Sequence, residues 1–198
     1  MCNSYEHTIV ITNRHLVQGD FLKQLEKVTK LHPHALILRE KDLTDDAYER
    51  LAKKVFDLCK REDITFFLHT KIEIARKIGC QNIHLSIPVL KGLSETEKKA
   101  LTEDFCEISI SCHSMEDVEI AMAGGATQII LGTIFETECK KGVLGKGVEF
   151  VREICQKCPL PVYAIGGMNM QRLPLVIDAG AAGCCMMSGF MQTTKPLQ

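Results

Sequence analysis

The chain has 198 residues, 45% apolar and 25% charged, with 24 basic and 25 acidic side chains and a net charge of −1. That composition suits one globular domain with a substantial core, and the charge balance excludes broad attraction to nucleic acid or to a membrane surface. No apolar run reaches the roughly 18–20 residues of a membrane helix, and the polar stretch Met1–His7 lacks the segments of a signal peptide, so a cytoplasmic location is expected.

Short β-rich runs alternate with amphipathic stretches along nearly the whole chain. Strands are predicted at 7–12, 35–40, 65–70, 82–86, 107–113, 128–135, 161–167 and 183–190. Helical spacing of three and four residues links Phe21, Leu25, Val28 and Leu31, then Leu51, Val55 and Leu58, then Ile72, Ala75 and Ile78. It returns at Val118, Ala121 and Met122, at Val148, Val151 and Ile154, and at Leu173, Val176 and Ile177. Thr44, Ser114 and Asn169 suit helix starts, while Gly124, Gly125 and Gly180 suit helix ends.

Eight strand–helix units read as a parallel sheet closed into a (β/α)₈ TIM barrel, with 1–198 as one domain near that fold's lower limit of roughly 200 residues. An open doubly wound sheet would place a glycine-rich phosphate loop after its first strand, where this chain has Thr12-Asn13-Arg14-His15. Only Met191–Gln198 follow the last strand, so its helix is expected to be short or absent, with a homodimer partner as an alternative cover.

Barrel chemistry sits at the C-terminal strand ends, where alternation decides which side chains point together. Arg39 and Lys41 share a face with Ala35 and Ile37, and an anionic ligand or an internal carboxylate would relieve their repulsion. Ser109, Ser111 and His113 share the polar face of the fifth strand, and His113 alternatively caps the next helix. His69 ends the third strand and His84 lies in the fourth, as ligand-facing or purely structural residues. After the sixth strand comes a long glycine-rich loop with three lysines, Lys140, Lys141 and Lys146. The seventh and eighth strands end in Gly166-Gly167 and Met187-Ser188-Gly189, where backbone N–H groups can approach phosphate oxygens.

Ten cysteines without an export signal read as reduced thiols, several inside apolar runs. Cys155-Gln156-Lys157-Cys158 is a lone C-x-x-C at a helix end, with no second ligand pair for zinc. No metal site is expected from these residues.

The motifs R-E-K-D-L at 39–43, S-x-H-S at 111–114, G-x-x-F-x-T-x-x-K-K-G at 132–142, A-I-G-G-M at 164–168 and M-S-G at 187–189 occur in register. Together they resemble the thiamine phosphate synthase superfamily over about residues 8–190, and Phe135–Gly142 resembles its TenI branch. The resemblance implies a barrel of thiamine biosynthesis that takes a phosphorylated thiazole or thiamine phosphate as its small-molecule partner. It implies that Arg39, Lys41, Ser111 and Lys140 contact a diphosphate and that Thr137, Gly167 and Ser188 hold a thiazole phosphate.

Two departures qualify the resemblance. The synthase holds Mg²⁺ with aspartates at positions matched here by Thr70 and Val89, and neither residue supplies the charge that a hard cation needs. The tautomerase histidine position is Thr133, whose hydroxyl does not titrate near neutrality, so His69, His113 and Cys139 become candidates for moving a proton. The expectation is therefore a TenI-like thiazole phosphate binder, with thiazole tautomerisation by an altered acid/base as the activity such a pocket would carry, and without a cofactor. The alternatives are thiamine-phosphate synthase, which would require Mg²⁺, and a non-catalytic regulator that binds thiamine phosphate.

Overall fold

The structure is a computed structural model and describes residues 5–136 and 144–192. Eight strands form a closed parallel barrel in chain order. They are β1 (Thr8–Ile11), β2 (Ala35–Leu38), β3 (Thr65–His69), β4 (Asn82–Ser86), β5 (Glu107–Cys112), β6 (Gln128–Gly132), β7 (Val162–Ile165) and β8 (Gly183–Met186). β1 closes the ring by pairing with both β2 and β8. Closure satisfies backbone groups on both sides of every strand and leaves no open sheet edge.

The helices are α1 (Phe21–Thr29), α2 (Asp45–Arg61), α3 (Ile72–Ile78), α4 (Ile87–Gly92), α5 (Glu95–Asp104), α6 (Met115–Ala123), α7 (Gly147–Lys157), α8 (Leu173–Asp178) and α9 (Ser188–Met191). Apolar strand residues of one parity, such as Leu36, Leu38, Leu68 and Ile110, pack outward with helix residues such as Leu25, Val55 and Val118. Residues of the other parity, Ile9, Ile11, Ala35, Ile37, Phe67, Ile130, Tyr163 and Cys185, fill the barrel. Strands buried on both faces read as continuous apolar runs, which is why their sequence signal is strong.

Local signals hold the helix starts. Thr44 accepts a hydrogen bond from Ala47 N–H, and Ser114 accepts one from Asp117 N–H. Asn169 accepts from Arg172 N–H one turn before α8 begins. The final helix is four residues long, in line with a short last unit. The last three strands end earlier than their apolar runs suggest. Gly166 and Gly167 have φ of +103° and +60°, outside the extended region, and Ser188 turns directly into α9. The spacing pattern also omits α4 and α5, because α5 buries only Leu101 and shows little apolar stripe, while a Ser94–Glu97 capping box starts it.

Candidate functional site at the barrel mouth

Alternation carries Arg39, His69, His84, Ser109 and Ser111 onto the inner face. Register sets them side by side: Leu38 pairs with Leu68, His69 with His84, His84 with Ser109, and Ser86 with Ser111. Tyr48 of α2 braces this wall from outside, its hydroxyl donating to Leu38 O at 2.6 Å and accepting from His69 N–H at 3.3 Å.

The wall is polar and largely neutral. His84 lies between Ser109 Oγ and Ser111 Oγ, each 2.9 Å from one ring nitrogen, an arrangement that a neutral imidazole satisfies with one donor and one acceptor. The His69 ring stacks on it with centroids 5.4 Å apart. Burial first, then the nearby Arg39 and Lys41, pushes the His69 pKa down to about 3. Burial, with His69 and Arg39 nearby, takes His84 to about 3 as well. His69 Nδ1 is buried without a hydrogen-bond partner.

Arg39, just past the end of β2, stands apart from the two carboxylates that follow it in the chain. Glu40 is buried and accepts from Thr12 Oγ1 at 2.7 Å, from Arg14 N–H at 3.1 Å and from Arg14 Nη1 at 3.2 Å. Asp42 accepts from Arg14 Nη1 at 2.6 Å and lies 3.0 Å from His15 Nε2, and Arg14 holds its carboxyl well below the usual range. Among the described residues no carboxylate pairs with Arg39, so the internal salt bridge open to it from sequence is not formed there. Asn13, His15, Arg39, Glu40, Lys41 and Asp42 line an open recess of about 240 Å³.

The opposite half of the mouth is built from backbone. A Cβ on Gly132 would lie 2.4 Å from Ile165 Cγ2 and 2.6 Å from Ile165 O, so glycine is needed for β6 to meet β7. The loop after β6 then runs along the end of β7, with Ile134 N–H bonded to Ile165 O and Phe135 N–H to Gly166 O. Gly167, at positive φ, sits under Glu136 O, and the Arg172 guanidinium lies over the Phe135 ring while donating to Gly167 O. The N–H groups of Gly167, Ser188 and Gly189 have no protein acceptor among the described residues. Met187 is half-buried beside the barrel interior.

His113 sits on the rim between the two halves. Its ring Nδ1–H donates to Gly132 O at 2.5 Å, and its backbone N–H to Asp117 Oδ2 at 2.7 Å. The ring therefore bonds across to β6 while the backbone N–H is held by Asp117 in the first turn of α6, whose N-cap is Ser114. Thr133 is buried under the same loop. The expected contacts Thr137 and Lys140, and the candidate Cys139, lie outside the described residues. Sequence spacing missed the Arg14–Glu40–Asp42–His15 cluster and Arg172 over Phe135, because no local pattern marks partners 26 to 37 residues apart.

The Mg²⁺ implied by the resemblance does not fit these residues. Thr70 has φ of +62° and turns its hydroxyl back onto His69 O at 2.7 Å. Val89 lies in α4, which starts directly after β4 and packs its side chain on the helix-side core. The mouth carboxylates Glu40 and Asp42 are already bonded to Arg14. Among the described residues no group of three His, Cys, Asp or Glu is placed to hold a metal. Cys155 and Cys158 are free thiols at the end of α7, and burial raises Cys155 to about 11, which opposes the thiolate that redox chemistry needs. Among the described residues no helix is long and apolar enough to cross a membrane.

A closed eight-stranded parallel barrel, with polar side chains and bare amides meeting at the C-terminal strand ends, defines a (β/α)₈ protein with a mouth suited to an anionic ligand. Residues 8–190 match the family model described as thiamine monophosphate synthase, and the chain belongs to that family. It is 30% identical over 182 residues to a putative thiamine-phosphate synthase 2 of Aquifex aeolicus, covering 92% of this chain and 96% of that one. It is 31% identical over 180 residues to a thiamine-phosphate synthase of Coprothermobacter proteolyticus, covering 90% and 84%. A thiamine phosphate pyrophosphorylase structure from Pyrococcus furiosus superposes with a TM-score of 0.82 at 22% identity, covering 97% and 90%, which shows the shared fold. The family is that of thiamine biosynthesis; its TenI branch is not distinguished from the synthases by these matches.

Proposed function

We propose that this chain binds a phosphorylated thiazole at its barrel mouth and works as an enzyme of thiamine-phosphate synthesis. The observation that carries the binding claim is electrostatic. Arg39 lines the recess without a carboxylate partner among the described residues, and the amides of Gly167, Ser188 and Gly189 have no protein acceptor there. An anion would complete both sets, since hydrogen bonds to charged groups contribute about 1.5–3 kcal/mol each. The names carried by the relatives support the synthase, which joins a pyrimidine diphosphate to a thiazole phosphate as diphosphate leaves. In this chain Arg39 and Lys41 would carry the diphosphate charge, because the donor set at Thr70 and Val89 is unsuited to Mg²⁺.

A specific observation favours a second activity at the same pocket. Phe135–Gly142 resembles the TenI branch, and loss of the metal donors removes what the synthase needs most while leaving the phosphate elements in place. That activity is thiazole tautomerisation. Calorimetry with thiazole phosphate tests the shared claim: saturable heat is expected, and neither heat nor a thermal shift at millimolar ligand would end it. Thiamine phosphate formed from both substrates establishes the synthase. Its absence, with the thiazole still bound, selects the tautomerase.

A further inference from the structure

Four histidines stand at or near the mouth, and three are already committed. His15 Nε2 lies 3.0 Å from Asp42 Oδ2. His84 has a serine on each ring nitrogen. His69 is stacked on His84, buried, and held neutral beside two cations. A histidine locked in its neutral form does not exchange protons near neutral pH.

His113 differs from the two buried rings in its exposure and in leaving one ring nitrogen open. It is exposed at the rim, and its Nδ1–H is bonded to the carbonyl of Gly132. A carbonyl only accepts, so this bond sets the tautomer: the proton is on Nδ1 and the lone pair is on Nε2. Nε2 has no protein partner among the described residues. The ring is thus oriented by one nitrogen and available at the other, the arrangement of a general base held in position by a second hydrogen bond. The charged groups bonded to this residue from neighbouring elements are Asp117 of α6, at its N–H, and Lys146 before α7, at its carbonyl oxygen. Both touch the main chain and leave the ring open. The bond to Gly132 O also places the imidazole one residue from Thr133, which has no titrating group of its own.

We propose that His113 is the catalytic acid/base of this mouth, moving a proton within a bound heterocyclic phosphate through Nε2. The inference rests on the tautomerase reading above. In the step, the Nε2 lone pair takes a proton from a carbon of the ligand. The C–H electron pair enters the conjugated ring system, and the imidazolium returns the proton to the far end of that system. No atom or electron is gained or lost, and no oxidant or co-reactant is required.

The test pairs binding with proton transfer. His113→Asn keeps an N–H near the Nδ1 position, able to donate to Gly132 O, but lacks Nε2. With a non-aromatic thiazole carboxylate phosphate in D₂O, at least a hundredfold loss of turnover and of deuterium incorporation is expected. Thiazole phosphate affinity should stay within threefold of wild type. His113→Ala should regain at least tenfold of its lost rate with added imidazole, which a structural defect would not allow. Full turnover in His113→Asn overturns the proposal, whereas a wild-type chain that binds thiazole phosphate but moves no proton overturns the tautomerase reading on which it rests. Failure of the wild type to bind thiazole phosphate overturns instead the functional reading beneath it.

Discussion

The two halves of the barrel mouth solve the same problem with different materials. On the β2–β5 side the inner surface is made of side chains: His69, His84, Ser109 and Ser111 in neighbouring strands, tied by hydrogen bonds and ring stacking, with Arg39 just past the end of β2. On the β6–β8 side it is made of backbone, with glycines letting two loops touch and leaving N–H groups unbonded among the described residues. A side-chain wall can be altered one residue at a time. The backbone half cannot, because Gly132, Gly166 and Gly167 are also packing contacts.

That contrast makes graded predictions. Gly167→Ala should cost most. It forces a Cβ to within 2.5 Å of Glu136 O at φ of +60°, combining backbone strain with overpacking for a loss of about 3 kcal/mol in urea unfolding. A loss under about 0.5 kcal/mol would show that the two loops yield readily, and the rigid backbone half would lose its basis.

Arg39→Gln should leave the barrel nearly as stable, since the side chain has no ion pair among the described residues to lose. Thiazole phosphate or diphosphate affinity should fall by about 2 kcal/mol, roughly thirtyfold, as read by calorimetry. Unchanged affinity would move the anion site wholly to the backbone half.

The smallest effect, when read per unit of pH, is on the slope of the stability–pH curve. His69 and His84 titrate near 3 when folded, against 6.5 in an unfolded chain. Between those values the unfolded state binds more protons, so stability falls as pH drops from about 6.5 towards 3. Each histidine contributes up to about 1.4 kcal/mol per pH unit. His69→Asn should flatten the acid limb of a stability–pH curve by about one histidine's share. An unchanged slope would mean that water reaches these rings and the polar wall is open. Carboxylates held low by ion pairs, such as Asp42 and Glu49, add to the loss from their unfolded values of 3.8 and 4.5 downward, in the lower part of the same range.

Much of the architecture was legible because its signals are local. Alternation in Glu107–His113 placed Ser109 and Ser111 inward, and the structure keeps that parity. The α4–α5 segment was not legible, since a polar helix with one buried leucine carries almost no periodic signal. The loop expected to supply Thr137 and Lys140 lies outside the described residues, so the sixth-strand contribution rests on sequence resemblance.

Composition and the order of strand and helix runs by themselves specified a parallel barrel, and alternation gave the polar, inward face of the fifth strand, because both follow from where apolar atoms must go. Tertiary structure alone chose the partners: Arg14 rather than Arg39 for Glu40 and Asp42, two serines for His84, and the Gly132 carbonyl for His113. Those choices depend on barrel register, which aligns residues 19 to 28 positions apart and leaves no trace in any short window of the chain.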